Sequence, residues 1–110
     1  MTFAEILEEL VQAAPGAAAA ILCDDEGEYV ELVCNGVDAY DVKLAGAQFS
    51  PLLAQLGHPR ELLVRASDAT YLIQCIADGY YVLLWLSPRA STSRSARVLR
   101  ERAQHVAALM

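Results

Sequence analysis

Lysine and arginine are absent from the first 41 of the 110 residues, a stretch that holds ten of the fourteen carboxylates, and the chain carries a formal charge of −6. A surface of that sign repels phosphate backbones, and no basic patch strong enough to overcome it occurs, so nucleic acid is excluded as a partner. No apolar run approaches the ~18 to 20 residues of a membrane span, and MTFAEILEEL lacks the basic start of a secretory signal. The chain reads as soluble, untargeted and cytoplasmic. Its three cysteines, Cys23, Cys34 and Cys75, show no C-x-x-C spacing and lie in apolar runs, which fits buried thiols in a reducing compartment. Paired ligand spacing for zinc is missing too, since the cysteines fall on separate segments and the only histidines are His58 and His105.

Catalytic and phosphate-binding signatures are also lacking. Gly36 and Lys43 stand in GVDAYDVK without the second glycine or the Ser/Thr of a phosphate-binding loop, so the chain is not itself a GTPase. In the acidic stretch Asp24 to Glu28, placing Gly27 at the sixth position of a calcium loop puts Leu22 at the first ligand position, which excludes that site. His58 precedes Pro59 in a predicted loop and His105 lies on a helix flank, so neither forms a Cys/His dyad. No catalytic residue, cofactor or metal is expected. What the chain has in plenty is apolar surface. Hydrophobic residues make up 55%, above the usual range of about 45 to 50%, and charged residues 20%, below about 25%. One domain of this length builds one core, and the apolar surplus is what an obligate interface looks like.

The elements follow from periodicity and punctuation. Thr2 and Glu5 make a capping box, and Phe3, Ile6, Leu7, Leu10, Val11 and Ala14 then recur at helical spacing until Pro15-Gly16. Ala17 to Cys23 and Tyr29 to Cys34 read as two strands joined by the Asp24 to Glu28 hairpin loop. From Asp38 to Leu56, the residues Val42, Ala45, Phe49, Leu52, Leu53 and Leu56 form a helical stripe. Ser50-Pro51 inside it also resembles an N-cap with proline at the first helical position, so one bent helix or two short ones fit, and the bent helix is favoured. Three further strands are predicted at Glu61 to Ser67, Thr70 to Ala77 and Tyr80 to Leu86. The Asp78-Gly79 pair between the last two is a two-residue hairpin signal, because both turn positions need positive φ. A last helix starts at Ser91, Thr92 or Ser93, with Leu99, Ala103, Val106 and Met110 on its stripe. Strands four and five are apolar on both faces, which requires a layer above and a layer below the sheet.

The resulting order α-β-β-α-β-β-β-α, with Pro15-Gly16 before strand one, the acidic turn ending at Gly27-Glu28, and Asp78-Gly79 before strand five, resembles the roadblock / dynein light-chain family. The segment Asp41 to Leu56, DVKLAGAQFSPLLAQL, is similar to the second helix of its short bacterial members, among them the Mgl-type polarity regulators. The resemblance implies an α+β, three-layer α/β/α fold of profilin-like form over residues 1–110. Its five-stranded antiparallel sheet would carry the second helix on one face and the terminal helices on the other. It also implies a homodimer in which third strands join two sheets and second helices lie side by side. The partner it implies is a small Ras-like GTPase or a second roadblock protein, in bacterial polarity or motility-type signalling. Such proteins act by reshaping the GTPase's own switch regions, so no arginine finger is required.

Within that frame, the third strand has no helix to cover its edge, which places the dimer seam at Leu62, Val64 and Ala66, with the small Ala47 permitting close approach of the second helices. If Val42, Ala45, Phe49 and Leu53 face the sheet, then Lys43, Gln48 and Gln55 face solvent or a partner. Arg94, Arg97 and Arg100 on the last helix form a second candidate partner face; they otherwise pair loosely with Glu5, Glu8 and Glu9. A small-ligand-sensing domain is the alternative function. It requires convergent polar groups inside, and the strands offer few beyond Arg65 and Gln74.

Overall fold

Thr2 caps the first helix, α1 (Phe3–Ala13): its hydroxyl accepts from the Glu5 N–H at 3.2 Å and the Glu5 carboxylate accepts from the Thr2 N–H at 2.9 Å. Those two bonds favour the ionised Glu5, whose pKa is lowered chiefly by the backbone bond to Thr2. In the computed structural model, which describes all 110 residues, the elements that follow are β1 (Ala17–Cys23), β2 (Tyr29–Cys34), α2 (Ala39–Gln55), β3 (Glu61–Arg65), β4 (Thr70–Cys75), β5 (Tyr81–Leu86) and α3 (Ser93–Leu109). The strands form one antiparallel sheet in the order β2-β1-β5-β4-β3.

The side-chain alternation of the central strands builds two cores. Ala20 on β1 stands beside Leu84 on β5, which stands beside Leu72 on β4, and this row packs under α1 and α3 with Ile6, Leu10, Leu99 and Val106. One residue along, Ile21, Leu83 and Ile73 point to the opposite face and pack with Val42, Phe49 and Leu53 of α2. The three layers are therefore α2, sheet, and α1 with α3. α2 rests chiefly on β1 and β2, so the β3 side of its face of the sheet is less covered.

Both hairpin turns follow their sequence signals. Asp78 and Gly79 take φ of 62° and 80°. In the acidic loop the Asp24 carboxylate accepts from the N–H groups of Glu26 and Glu28, each at 3.0 Å, and Gly27 takes φ 86°. Where α2 was open to two readings, it is one unbroken helix, capped by the Asp38 carboxylate on the Tyr40 N–H at 2.7 Å. Ser50 is not a cap: its hydroxyl donates to the Asp25 carbonyl at 3.0 Å and ties the acidic loop to the helix.

Several boundaries differ from expectation. β3 ends at Arg65, because the Ala66 N–H donates to the Ala69 carbonyl and closes a tight turn, and β4 stops at Cys75 instead of Ala77. Leu56 is 52% exposed at the end of α2, past the edge of its core, and Met110 is likewise exposed at the end of α3. Ser95 takes the place on the α3 stripe that Met110 was expected to complete. Of the three thiols only Cys23 is fully buried; Cys34 and Cys75 are half-buried.

Candidate interaction surface

β3 pairs with β4 alone, so its other edge is open. An antiparallel ladder bonds alternate residues to a given neighbour. The Cys75 N–H donates to the Arg60 carbonyl and the Ala66 N–H to the Ala69 carbonyl, so the residues that bond β4 are Arg60, Leu62, Val64 and Ala66. The backbone groups of Glu61, Leu63 and Arg65 face outward, unpaired. Side chains divide across the sheet faces: Leu62 and Val64 pack half-buried on the α2 side, while Leu63, 47% exposed, lies on the α3 side with Glu61 and Arg65. Ala66 falls in the turn beyond the strand.

Next to this edge on the α2 side is an aromatic row. Val64 pairs with Tyr71 and Tyr71 with Trp85 across β3, β4 and β5. Tyr71 meets Phe49 of α2 edge-on at 5.3 Å and Trp85 at 5.5 Å, the geometry that ring quadrupoles favour. Tyr71 and Trp85 floor a recess of about 380 Å³ whose rim is Asp41, Leu44 and Gln48 of α2 and Asp68 of the β3–β4 turn. Burial first, and then the nearby Asp68, raises the pKa of Tyr71. The recess thus joins apolar area to two carboxylates. Leu44 stands 51% exposed on its rim.

The structure separates the residues that the helical wheel had grouped. Gln48 lines the aromatic recess. Lys43 lies on the opposite flank of α2, its Nζ 4.3 Å from the centre of the Tyr29 ring on β2. Gln55 is exposed in the last turn. Ala47 lies against the chain's own acidic loop, with its Cα 3.2 Å from where a Cβ on Gly27 would stand. Arg94, Arg97 and Arg100 are on the far side of the sheet, with α3; Arg100 is held by Glu61 at 3.2 Å, while Arg94 and Arg97 make no ion pair. Arg102 reaches Glu9 at 3.6 Å, so the expected pairing of α3 with α1 comes down to one bridge. Sequence reasoning passed over Leu44 and Leu63. Their signal was an apolar residue out of phase with its own element's buried stripe.

No family model matches the chain and no curated protein sequence matches it. Among solved structures, the chain is similar to the roadblock/LC7 domain from Streptomyces avermitilis, with a TM-score of 0.85 at 15% identity over 99% of this chain and 98% of that one. MglC from Myxococcus xanthus gives a TM-score of 0.77 at 21% identity over 100% of both chains. MglB with tetrameric arrangement gives 0.80 at 16% identity over 96% of this chain and 85% of that one. The overlap is nearly complete at these TM-scores, and the chain has the roadblock fold.

Proposed function

We propose that this protein is a non-enzymatic, homodimeric regulator or adaptor that binds a small Ras-like GTPase or a second roadblock protein, in polarity or motility-type signalling of the bacterial kind. The observation that carries this reading is the open β3 edge lying beside the partly covered α2 side of the sheet. A strand whose outward N–H and C=O groups have no partner takes another strand readily, and the nearest strand of matching register is β3 of a second copy. With a two-fold axis at Leu63, Glu61 of each copy stands opposite Arg65 of the other and Leu62 opposite Val64, so charge and apolar character both match themselves. Such pairing brings two α2 helices and two aromatic recesses to one face. The similarity to MglB in a tetrameric arrangement supports self-association, and the names MglB and MglC support the regulatory reading.

The partner surface in this reading is that α2 face, with Gln48 and Gln55 on it and Lys43 at its margin. The Arg94, Arg97 and Arg100 face of α3 is the second surface. Light scattering at micromolar concentration is expected to give about twice 11.9 kDa. A monomer under those conditions overturns the dimer. A pull-down with identification of the bound proteins is expected to recover a small GTPase or another roadblock protein, and recovery of neither overturns the partner class.

A further inference from the structure

The sheet has a second open edge, since β2 pairs with β1 alone. The Asn35 N–H donates to the Ala18 carbonyl, so Glu31, Val33 and Asn35 bond β1 and the backbone groups of Leu32 and Cys34 face outward. The outward Leu32 N–H has no strand to bond; it donates to the carboxylate of its own neighbour, Glu31, at 3.1 Å. Where β3 balances Glu61 with Arg65, this edge is acidic. Glu31 stands opposite Leu22, on the α1 side of the sheet, and neither it nor Glu8 of α1 makes an ion pair. Lys43, the first base in the chain, lies on the α2 side against Tyr29. Between α1 and the end of β2 is a recess of about 280 Å³ lined by Glu8, Val11, Gln12, Val33, Cys34 and Asn35. Two valines beside a carboxylate suit an aliphatic stem that ends in a cation.

We propose that the β2 edge is a docking site for an extended segment of a partner protein that carries lysine or arginine at alternate positions. The segment adds to β2 as a further strand, and one of its carbonyls takes the Leu32 N–H in place of Glu31. One cation then meets Glu31. The next, two residues along and on the same face, lays its stem over Val33 with its charge at Glu8. Charge selects this occupant. A strand without cations would bury the Glu31 carboxylate unpaired, and the β2 of a second copy would bring only further carboxylates, Glu28 and Glu31, to the edge. The site lies at the opposite end of the sheet from β3 and depends neither on the dimer seam nor on what binds α2.

The probes are acetylated and amidated peptides added to the intact protein, followed by amide chemical shifts. One is Thr-Lys-Val-Lys-Val-Lys-Thr, the second has glutamate for every lysine, and the third has proline for both valines, which keeps the charge but removes the N–H groups that would bond β2. The lysine peptide is expected to shift the signals of Leu32 and Cys34 in a saturable way. The glutamate and proline peptides should each bind about tenfold or more weakly. Leu32→Pro removes an N–H that β1 does not use and should abolish binding. Should that variant fail to fold, Glu8→Gln with Glu31→Gln keeps both side-chain shapes and the acceptor on Leu32, and is expected to weaken the lysine peptide by about fivefold. Equal affinity for the lysine and proline peptides means attraction to an acidic surface only, and overturns the proposal. Shifts centred on Leu63 in place of Leu32 put the added strand on β3 and overturn it as well. So do the absence of shifts with every peptide and undiminished binding in either variant.

Discussion

Gly46 shows at the scale of one residue how closely α2 is seated. A Cβ added there would stand 2.8 Å from Cys23 Sγ and 3.1 Å from Ile21 Cδ1, and the Gly46 carbonyl accepts the Tyr81 hydroxyl at 2.6 Å. Two effects oppose each other in Gly46→Ala. Helix propensity favours alanine by up to about 1 kcal/mol, whereas overpacking against a short, rigid side chain costs about 1–3 kcal/mol. Overpacking should win in the native background, and a denaturant titration is expected to show net destabilisation. In a Cys23→Ala background the sulfur is gone and the same substitution should become neutral or stabilising. Additive effects of the two changes would contradict the contact. Cys23 also sets an alkaline limit. Burial, the main cause, pushes its thiol from 9.0 up to about 11, only partly offset by its bond to Tyr81. The neutral thiol is thus favoured in the folded state, and the stability it contributes is intact below pH 9.0, where the unfolded thiol is also protonated. From there to about pH 11 the unfolded chain loses a proton that the folded chain keeps, so this thiol lowers stability with a limiting slope of about 1.4 kcal/mol per pH unit. Tyr81, raised mainly by burial as well, extends the decline to higher pH. Cys23→Ala should flatten the first part of the curve.

At the scale of the elements, local signals with a geometric requirement were legible and pairing limits were not. Thr2 with Glu5, Asp78 with Gly79, and the in-phase Val42, Ala45, Phe49 and Leu53 each fix a local conformation by their own chemistry, and each stands where the sequence placed it. The end of β3 depends on where Ala66 finds a carbonyl, and that carbonyl belongs to Ala69 in the next arm of the hairpin. Whether Ser50-Pro51 starts a helix or lies inside one was settled by the Ser50 hydroxyl meeting Asp25, a contact 25 residues away in sequence. The ladder register likewise decides how the seam is tested. Because the Val64 N–H bonds β4, Val64→Pro disrupts the protomer itself, whereas the Leu63 N–H faces outward. Leu63→Pro is therefore expected to leave a folded protein and to convert the dimer into monomers. A dimer that survives Leu63→Pro moves the seam away from β3, toward the α2 helices. The two-fold register makes a sharper demand. Glu61→Arg alone or Arg65→Glu alone places like charges opposite each other and should raise the dimer dissociation constant. The double reversal should recover most of the loss, since opposed cross-strand charges contribute about 0.2–1 kcal/mol per pair and the axis counts each pair twice. No recovery would exclude an axis at Leu63 while leaving β3 as the seam.

For the whole molecule, the uneven charge seen in the sequence becomes a difference between faces. The acidic α1 and the arginine-bearing α3 lie side by side behind the sheet, yet only Arg102 with Glu9 bridges them, and Arg94 and Arg97 remain free. The sequence showed which residues were charged and which helix stripe was buried. It did not show that Lys43 leans toward Tyr29 while Gln48 leans toward Trp85, because that depends on where α2 rests across the sheet. Two surfaces therefore compete for the proposed partner, and one pair of substitutions separates them. Gln48→Glu together with Gln55→Glu adds two charges on the exposed side of α2, the first beside Asp41 and Asp68 at the aromatic recess. Neither residue belongs to the buried stripe of α2, so the variant should fold and scatter light as a dimer. Binding to the partner identified by pull-down should then fall by about tenfold or more, the effect of like charges brought into a desolvated contact. Unchanged affinity in a preserved dimer removes the α2 face from consideration. The Arg94 and Arg97 face would then take its place, and because exposed charges are screened over about 10 Å at 0.1 M salt, binding there should weaken steeply as salt is raised.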